Sequence, residues 1–207
     1  MEQFYLEQPS IERKIDALDY LNEHVKFNSD INGSGGMDSI LDGKFSYEEW
    51  LAESEKQKNK EYAKSVNRVP GETYFLIRYN DNKIVGMINI RHDLNAELLH
   101  FGGHIGYGIR PTERRKGYNK INLYLGLFVA RKFGLKKVML DCDENNFGSD
   151  KTIKDLGGVL ERREIDTSDN TMTNVYWIDV ENSIDKYSSI YKPMIYKEKI
   201  KSTGERV

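Results

Sequence analysis

Thiol chemistry is nearly absent from this chain: Cys142 is its single cysteine. No disulfide can form within it, so a reducing compartment, the cytoplasm, is the expected location. In the run Val138-Met-Leu-Asp-Cys-Asp-Glu144 that cysteine reads as a small buried hydrophobe rather than a nucleophile. No apolar run approaches the ~20 residues of a membrane span. The opening MEQFYLEQPSIERKIDALDY lacks the basic and apolar regions of a secretory leader. Neither charge dominates: 31 Lys and Arg are interleaved with 33 Asp and Glu, for a net charge of −2. A general nucleic-acid binder needs a basic face that displaces counterions, so that partner is not expected. His92, His100 and His104 do not fall at any usual ligand spacing, and no metal is expected. What remains is a 207-residue soluble chain, 38% hydrophobic and 31% charged, sufficient for one buried core and a small appendage.

Ser10 reads as a helix N-cap followed by Ile11, Ile15, Leu18, Leu21 and Val25 at helical spacing. Residues 31–43 hold four glycines between Asn32 and Gly43, the pattern of a loop over a cleft. Ser46 with Glu49 is a capping box that opens a second helix at Trp50-Leu51. From Glu72 onward β-branched, aromatic and aliphatic residues predict strands over 73–79 and 83–90, joined at Asn80-Asp81-Asn82. A third strand covers 104–110 and ends at Pro111. A long helix follows over 118–133, with Tyr118, Ile121, Leu125, Phe128 and Val129 on one face and Gly134 at its end. Further on come a strand over 137–142, a short helix over 149–156 stopped by Gly157-Gly158, and a hairpin of 159–165 with 172–180. That order suits an α/β fold, a mixed sheet with helices on its faces. The expected domain is 1–180. Residues 181–207 scatter Tyr187, Tyr191 and Tyr196 among lysines and read as a surface-draped tail, or as an extra strand or dimer contact.

The stretch Gly103-His-Ile-Gly-Tyr-Gly-Ile-Arg-Pro-Thr-Glu-Arg-Arg-Lys-Gly-Tyr-Asn119 is strand, short basic turn, then helix start. The first turn of a helix leaves backbone N–H groups unpaired and carries partial positive charge, which suits a diphosphate. Gly117 would let the backbone close around phosphate, with Arg114, Arg115 and Lys116 supplying charge. The same residues would also serve as a basic surface turn.

This run resembles the acyl-CoA signature of the GNAT acetyltransferases, R/Q-x-x-G-x-G/A, with Arg114 and Gly117 at the first and fourth positions. Asn119 stands at the sixth, where the family has Gly or Ala. Asn146-x-x-Ser149 resembles the family's second cofactor segment, and Val85–Asn95, Gly102–Tyr107 and Tyr176-Trp-Ile-Asp179 are similar to a bacterial group of unassigned substrate. The resemblance implies the GNAT fold, a central mixed, mostly antiparallel sheet with helices on both faces. It implies acetyl-CoA held by Ile109, Arg114, Arg115, Lys116, Gly117, Tyr118 and Asn119, with Asn146 and Ser149. It further implies direct attack of an amine on the thioester.

That attack needs a proton acceptor, because Lys-like amines titrate near ~10.4. His104 stands where many family members have glutamate, and is either that base or a structural strut. The family's tyrosine acid is replaced by Ile153, leaving Tyr107 as a candidate or the thiolate to leave unaided. Arg91 could bind a substrate carboxylate beside His92, or be a charged strand end in solvent. An active N-acetyltransferase for a small or peptide amine, with a homodimer possible, therefore stands beside two alternatives: a catalytically decayed CoA-binding sensor and a plain interaction domain.

Overall fold

β-branched and aromatic runs fold into seven strands, and the computed structural model, which describes residues 1–197, arranges them as two antiparallel sheets. Strands β1 (Phe4–Glu7), β2 (Gly71–Arg78), β3 (Lys83–Arg91) and β4 (Ile105–Ile109) lie in sequence order. Strands β5 (Lys137–Asp143), β6 (Val159–Asp166) and β7 (Thr171–Asp179) lie in the order β5-β7-β6. Helices α1 (Lys14–Lys26), α2 (Tyr47–Gln57) and α3 (Lys60–Ser65) precede β2, and α4 (Ala96–His100) joins β3 to β4. Helix α5 (Tyr118–Lys132) joins the two sheets, and α6 (Phe147–Asp155) follows β5. The chain continues through α7 (Val180–Lys186) and α8 (Ser188–Tyr191).

Strand alternation divides the buried side chains into two cores, one per face. Leu76, Val85, Ile88, Ile90, Val138 and Leu140 meet Ile121, Leu125 and Ile153 of α5 and α6. Phe75, Ile77, Ile84 and Met87 meet Tyr20, Leu21 and Trp50 of α1 and α2. A register shift between Leu76 and Ile77 explains why Ile84 and Met87, three residues apart, share a face. The long helix matches expectation, as do both hairpins and the Ser46–Glu49 capping box, but the helix's buried face is broader than expected: Leu123, Tyr124 and Leu127 are fully buried, while Phe128 and Val129 are only partly so.

Other expectations need correction. Ser10 makes no side-chain cap, and a short 3-10 turn over Ile11–Arg13 leads into α1. Of the face proposed for that helix, Ile11, Ile15 and Val25 are exposed, while Ala17, Tyr20, Leu21 and His24 are buried. Strand β1 and helices α3 and α4 had no sequence-based counterpart. Residues 181–197 are not a draped tail: Ile184, Tyr191 and Ile195 enter the main core, and Ile195 bridges Phe4 of β1. The remainder of that proposed tail lies outside the described residues. Among the described residues no helix is long and apolar enough to cross a membrane.

Candidate active site

The two sheets come apart between β4 and β5. Arg110 N–H donates to Val85 of β3, so alternation turns the backbone groups of Gly106 and Gly108 toward β3. The N–H groups of Ile105, Tyr107 and Ile109 therefore face the gap. Among the described residues, the two sheets share one backbone hydrogen bond across it, from His104 N–H to the Met139 carbonyl at 2.7 Å. The His104 ring doubles that joint: its Nδ1 accepts from Met139 N–H at 3.0 Å. The ring proton consequently sits on Nε2. Burial, with Arg91 nearby, pushes the imidazole down to about 4, against the pull of Asp93. With its one lone pair committed to the Met139 N–H, the neutral ring has no free acceptor for a substrate proton, which is the chemistry of a strut.

Arg91 and His92 do not form one substrate-binding pair. Arg91 is largely buried and its Nη1 donates to the carbonyls of Gly102 at 2.7 Å and Gly103 at 2.8 Å. It clamps the turn before β4 and is not a solvated strand end. His92 turns to the opposite face and stacks on Phe133, just past the end of α5, with ring centroids 3.6 Å apart. Asp93 is paired with Lys60 at 3.2 Å.

Tyr107 projects toward α6, where its hydroxyl and Ser149 Oγ share a hydrogen bond of 2.8 Å. Burial raises its phenol, with Ser149 opposing. Asn146 caps α6, its side-chain oxygen accepting from Ser149 N–H at 3.1 Å, and this fixes Ser149 in the gap. Burial also pushes the adjacent Cys142 thiol up to about 12.

At the end of β4 the basic turn is held by specific partners. Arg114 Nε donates to the Ile109 carbonyl at 3.0 Å and its Nη2 to Ser29 at 2.6 Å. Lys116 pairs at 2.7 Å with Glu113, whose buried carboxylate also meets Arg78 at 2.8 Å and Lys83 at 3.3 Å. Burial alone would raise that carboxyl, but the hydrogen bonds from Arg78 and Lys116 hold it down to about 2. Among the described residues, the exposed Arg115, at φ +65°, has no hydrogen-bond or ion-pair partner. Gly117, at φ +82°, caps α5 without a side chain, and a Cβ built there meets nothing within 4 Å. The first turn of α5 is thus open to a ligand. Tyr118 faces inward onto Phe4 and donates to Glu2 at 2.6 Å, so its hydroxyl is structural. The Asn119 side-chain oxygen is buried without a hydrogen-bond partner.

The opposite face of the gap is walled by the glycine-rich loop. A Cβ at Gly108 would lie 2.7 Å from the Asn32 carbonyl oxygen, and one at Gly106 would lie 3.6 Å from the Gly33 Cα. The room beside His104 is filled by backbone. Trp50 Nε1 pins the loop by donating to the Gly35 carbonyl at 3.3 Å. Among the described residues no group of three or more potential metal ligands is present.

Sequence reasoning missed Glu113, whose several partners lie far apart in the chain, and Asp141, a partly buried carboxylate beside the His104 joint. Only the apolar setting of Asp141 between Leu140 and Cys142 could have signalled it.

A sheet split at an unpaired strand edge, with a glycine-capped helix start at the end of that edge, defines an acyl-CoA-type transferase fold. The comparisons agree. Residues 38–157 match the acetyltransferase (GNAT) family, and the chain belongs to that family. It is a CoA-dependent N-acetyltransferase by that membership. No curated protein matches it. Among solved structures, a ribosomal-protein-S5-alanine acetyltransferase from Vibrio fischeri is 14% identical with a TM-score of 0.59, over 88% of this chain and 96% of that one. The microcin C7 self-immunity acetyltransferase MccE, in complex with acetyl-CoA and AMP, is 16% identical with a TM-score of 0.58, over 86% and 92%. The spermidine/spermine N-acetyltransferase SpeG from Vibrio cholerae is 13% identical with a TM-score of 0.58, over 89% and 99%. At these identities the likeness is one of fold.

Proposed function

We propose that the chain transfers an acetyl group from acetyl-CoA to the amine of a small molecule or peptide, within the gap between β4 and β5. The observation that carries this reading is the open edge of β4, running from the His104 joint to the glycine-capped first turn of α5. In it, the diphosphate rests on the N–H groups of Gly117 to Asn119, with Arg115 free to meet it. The Arg114 side chain shapes the turn through Ile109, and Lys116 stays bound to Glu113. The arm of the cofactor follows Ile105 to Ile109, where an unpaired N–H can stabilise the oxyanion. The amine enters from the Asn32–Gly36 side. His104 acts as a strut and Arg91 as a clamp, while the Tyr107–Ser149 pair stands near the departing sulfur. A thiol of pKa ~8.5 is a tolerable leaving group without help.

Polyamines and the amine of a protein alanine are the probes suggested by those structural neighbours' activities. Thiol release from acetyl-CoA with spermidine or an alanine-ending peptide tests the reading. Buried Ile153, in place of a tyrosine acid, favours the second reading, a CoA-binding sensor. That reading predicts acetyl-CoA binding by calorimetry without thiol release. A cytoplasmic location and a homodimer complete the proposal. Exposed Val159, Leu160 and Ile165 on edge strand β6 offer a dimer surface, which light scattering at micromolar concentration tests.

A further inference from the structure

Along β5, Val138, Leu140 and Cys142 point into the core shared with α5 and α6. Alternation turns Met139 and Asp141 to the other face, the side of Arg91, His104 and the glycine-rich loop. Asp141 stands two residues beyond Met139, where β5 is joined to His104. It is therefore on the amine side of the point at which the sheets part.

Its bonding is unusual for a partly buried carboxylate. Oδ2 accepts the Gly102 N–H. No lysine or arginine forms an ion pair with it among the described residues, because the nearby Arg91 gives its Nη1 to the Gly102 and Gly103 carbonyls. The other carboxylates around the gap are committed: Asp93 to Lys60, Asp150 to Lys154 and Tyr176, and Glu113 to three cations. Burial raises the Asp141 carboxyl above the ordinary carboxylate range, with Asp166 of β6 adding to it and Gly102 N–H and Arg91 opposing. Across the sheet, its charge also raises Tyr107 and Cys142, which point to the α6 side. A carboxylate so placed holds a proton more readily than its neighbours, as a general base requires.

We propose that Asp141 is the proton acceptor for the attacking amine, an assignment that rests on the acetyltransferase reading. The ammonium R–NH3+ gives one proton to the Asp141 carboxylate, and the freed nitrogen forms a bond to the thioester carbonyl carbon. The tetrahedral intermediate then breaks its C–S bond. CoA leaves as thiolate and takes the second nitrogen proton, giving amide and CoA thiol, and Asp141 releases its proton to solvent.

The competing role is purely structural, an acceptor that pins the turn at Gly102. Asp141→Asn separates the two, since its amide oxygen still accepts from Gly102 but cannot take up a proton. With spermidine and an alanine-ending peptide as probes, kcat/KM should fall by about 10²-fold or more while calorimetric acetyl-CoA affinity is unchanged. The acid limb of the wild-type pH profile should vanish in the variant. Wild-type turnover that the variant leaves within about threefold overturns the assignment of Asp141 alone. Wild-type protein that releases no thiol with either probe fails the acetyltransferase reading for those amines, and Asp141 with it. Should the variant prove unstable, carboxyl-carbon NMR of the CoA-bound wild type decides: an Asp141 titration at or below the ordinary ~3.9 overturns the assignment.

Discussion

The segment from Gly103 to Gly117 holds two kinds of glycine. Gly103 and Gly108 are glycines because other backbone lies against them, Met139 for the first and Asn32 for the second, while Gly106 lies in ordinary contact with Gly33. Gly117 is a glycine with nothing against it. Both look alike in sequence, as small residues where something comes close, but one set is occupied by the protein and the other faces open space. The difference separates the packed floor of the candidate site from its open end.

Breaking the crowded set should have the largest effect. A Cβ at Gly103 would lie 2.3 Å from the Met139 carbonyl oxygen, on a backbone already at φ +55°. Left-handed strain and overpacking together predict that Gly103→Ala loses about 3 kcal/mol or more of stability. Because the collision falls on the β4–β5 joint, activity should fall with it. Chemical denaturation measures the first effect and thiol release the second. A variant within about 1 kcal/mol of the parent would show that the joint yields cheaply.

His104 sits on the same joint. His104→Ala leaves the Met139 N–H unpaired at a buried position, which costs about 1–3 kcal/mol before any cavity is counted. His104→Gln can restore an acceptor and should recover stability and most turnover. The imidazole also sets a pH dependence. Folding holds it neutral down to about 4, whereas the unfolded chain takes a proton near 6.5. Stability from this group is full above 6.5 and falls as pH drops from there to about 4, by roughly 3 kcal/mol. The Gln variant should lose that slope. A Gln variant that is stable yet nearly inactive would return His104 to the role of base.

Glu113 gives a second acid limb in a lower window. Its folded carboxyl is held down to about 2, so its contribution is full above about 4.5 and lost as pH falls toward 2. Glu113→Gln should cost about 2–4 kcal/mol near neutrality, since Arg78, Lys83 and Lys116 would crowd without their counter-charge. Melting temperatures across pH 3–7 for Glu113→Gln and His104→Gln would resolve the two windows.

The same two cores show what was legible in the sequence. The α5 side is built from aliphatic residues at helical period, and its elements follow directly from the pattern. The α1 side is built from Ala17, Tyr20 and His24, with buried Arg13 held by Glu7 and Asp16. A period count that looks for Ile, Leu and Val therefore finds buried Leu21 but adds the exposed Ile11, Ile15 and Val25. Residues 181–197 were misjudged for a related reason: their tyrosines and lysines look like a surface, yet Tyr191 packs on Tyr124 with centroids 4.9 Å apart. In the site, the basic turn and Gly117 could be read because their chemistry is local. The work of Glu113, Arg91 and Asp141 depends on partners more than ten residues away and becomes visible only in three dimensions.

The smallest expected effect sharpens the comparison at its open end. Asn119 is the residue after Tyr118 in α5, two positions beyond the Gly117 cap, and carries a side chain where the family has Gly or Ala. Its oxygen is buried without a partner. A buried unpaired acceptor costs about 1–3 kcal/mol relative to a paired one. Removing it in Asn119→Ala also brings in the best helix former. The two gains oppose a small loss of packing, so the variant should be as stable as the parent or about 1 kcal/mol more so. Acetyl-CoA affinity should rise or hold, because less side chain stands near the phosphate position. A drop in affinity of tenfold or more, with stability intact, would mean that the amide meets the cofactor. Asn119 would then be part of the binding surface, and the unpaired oxygen in the free protein would be the place where the cofactor supplies the missing donor.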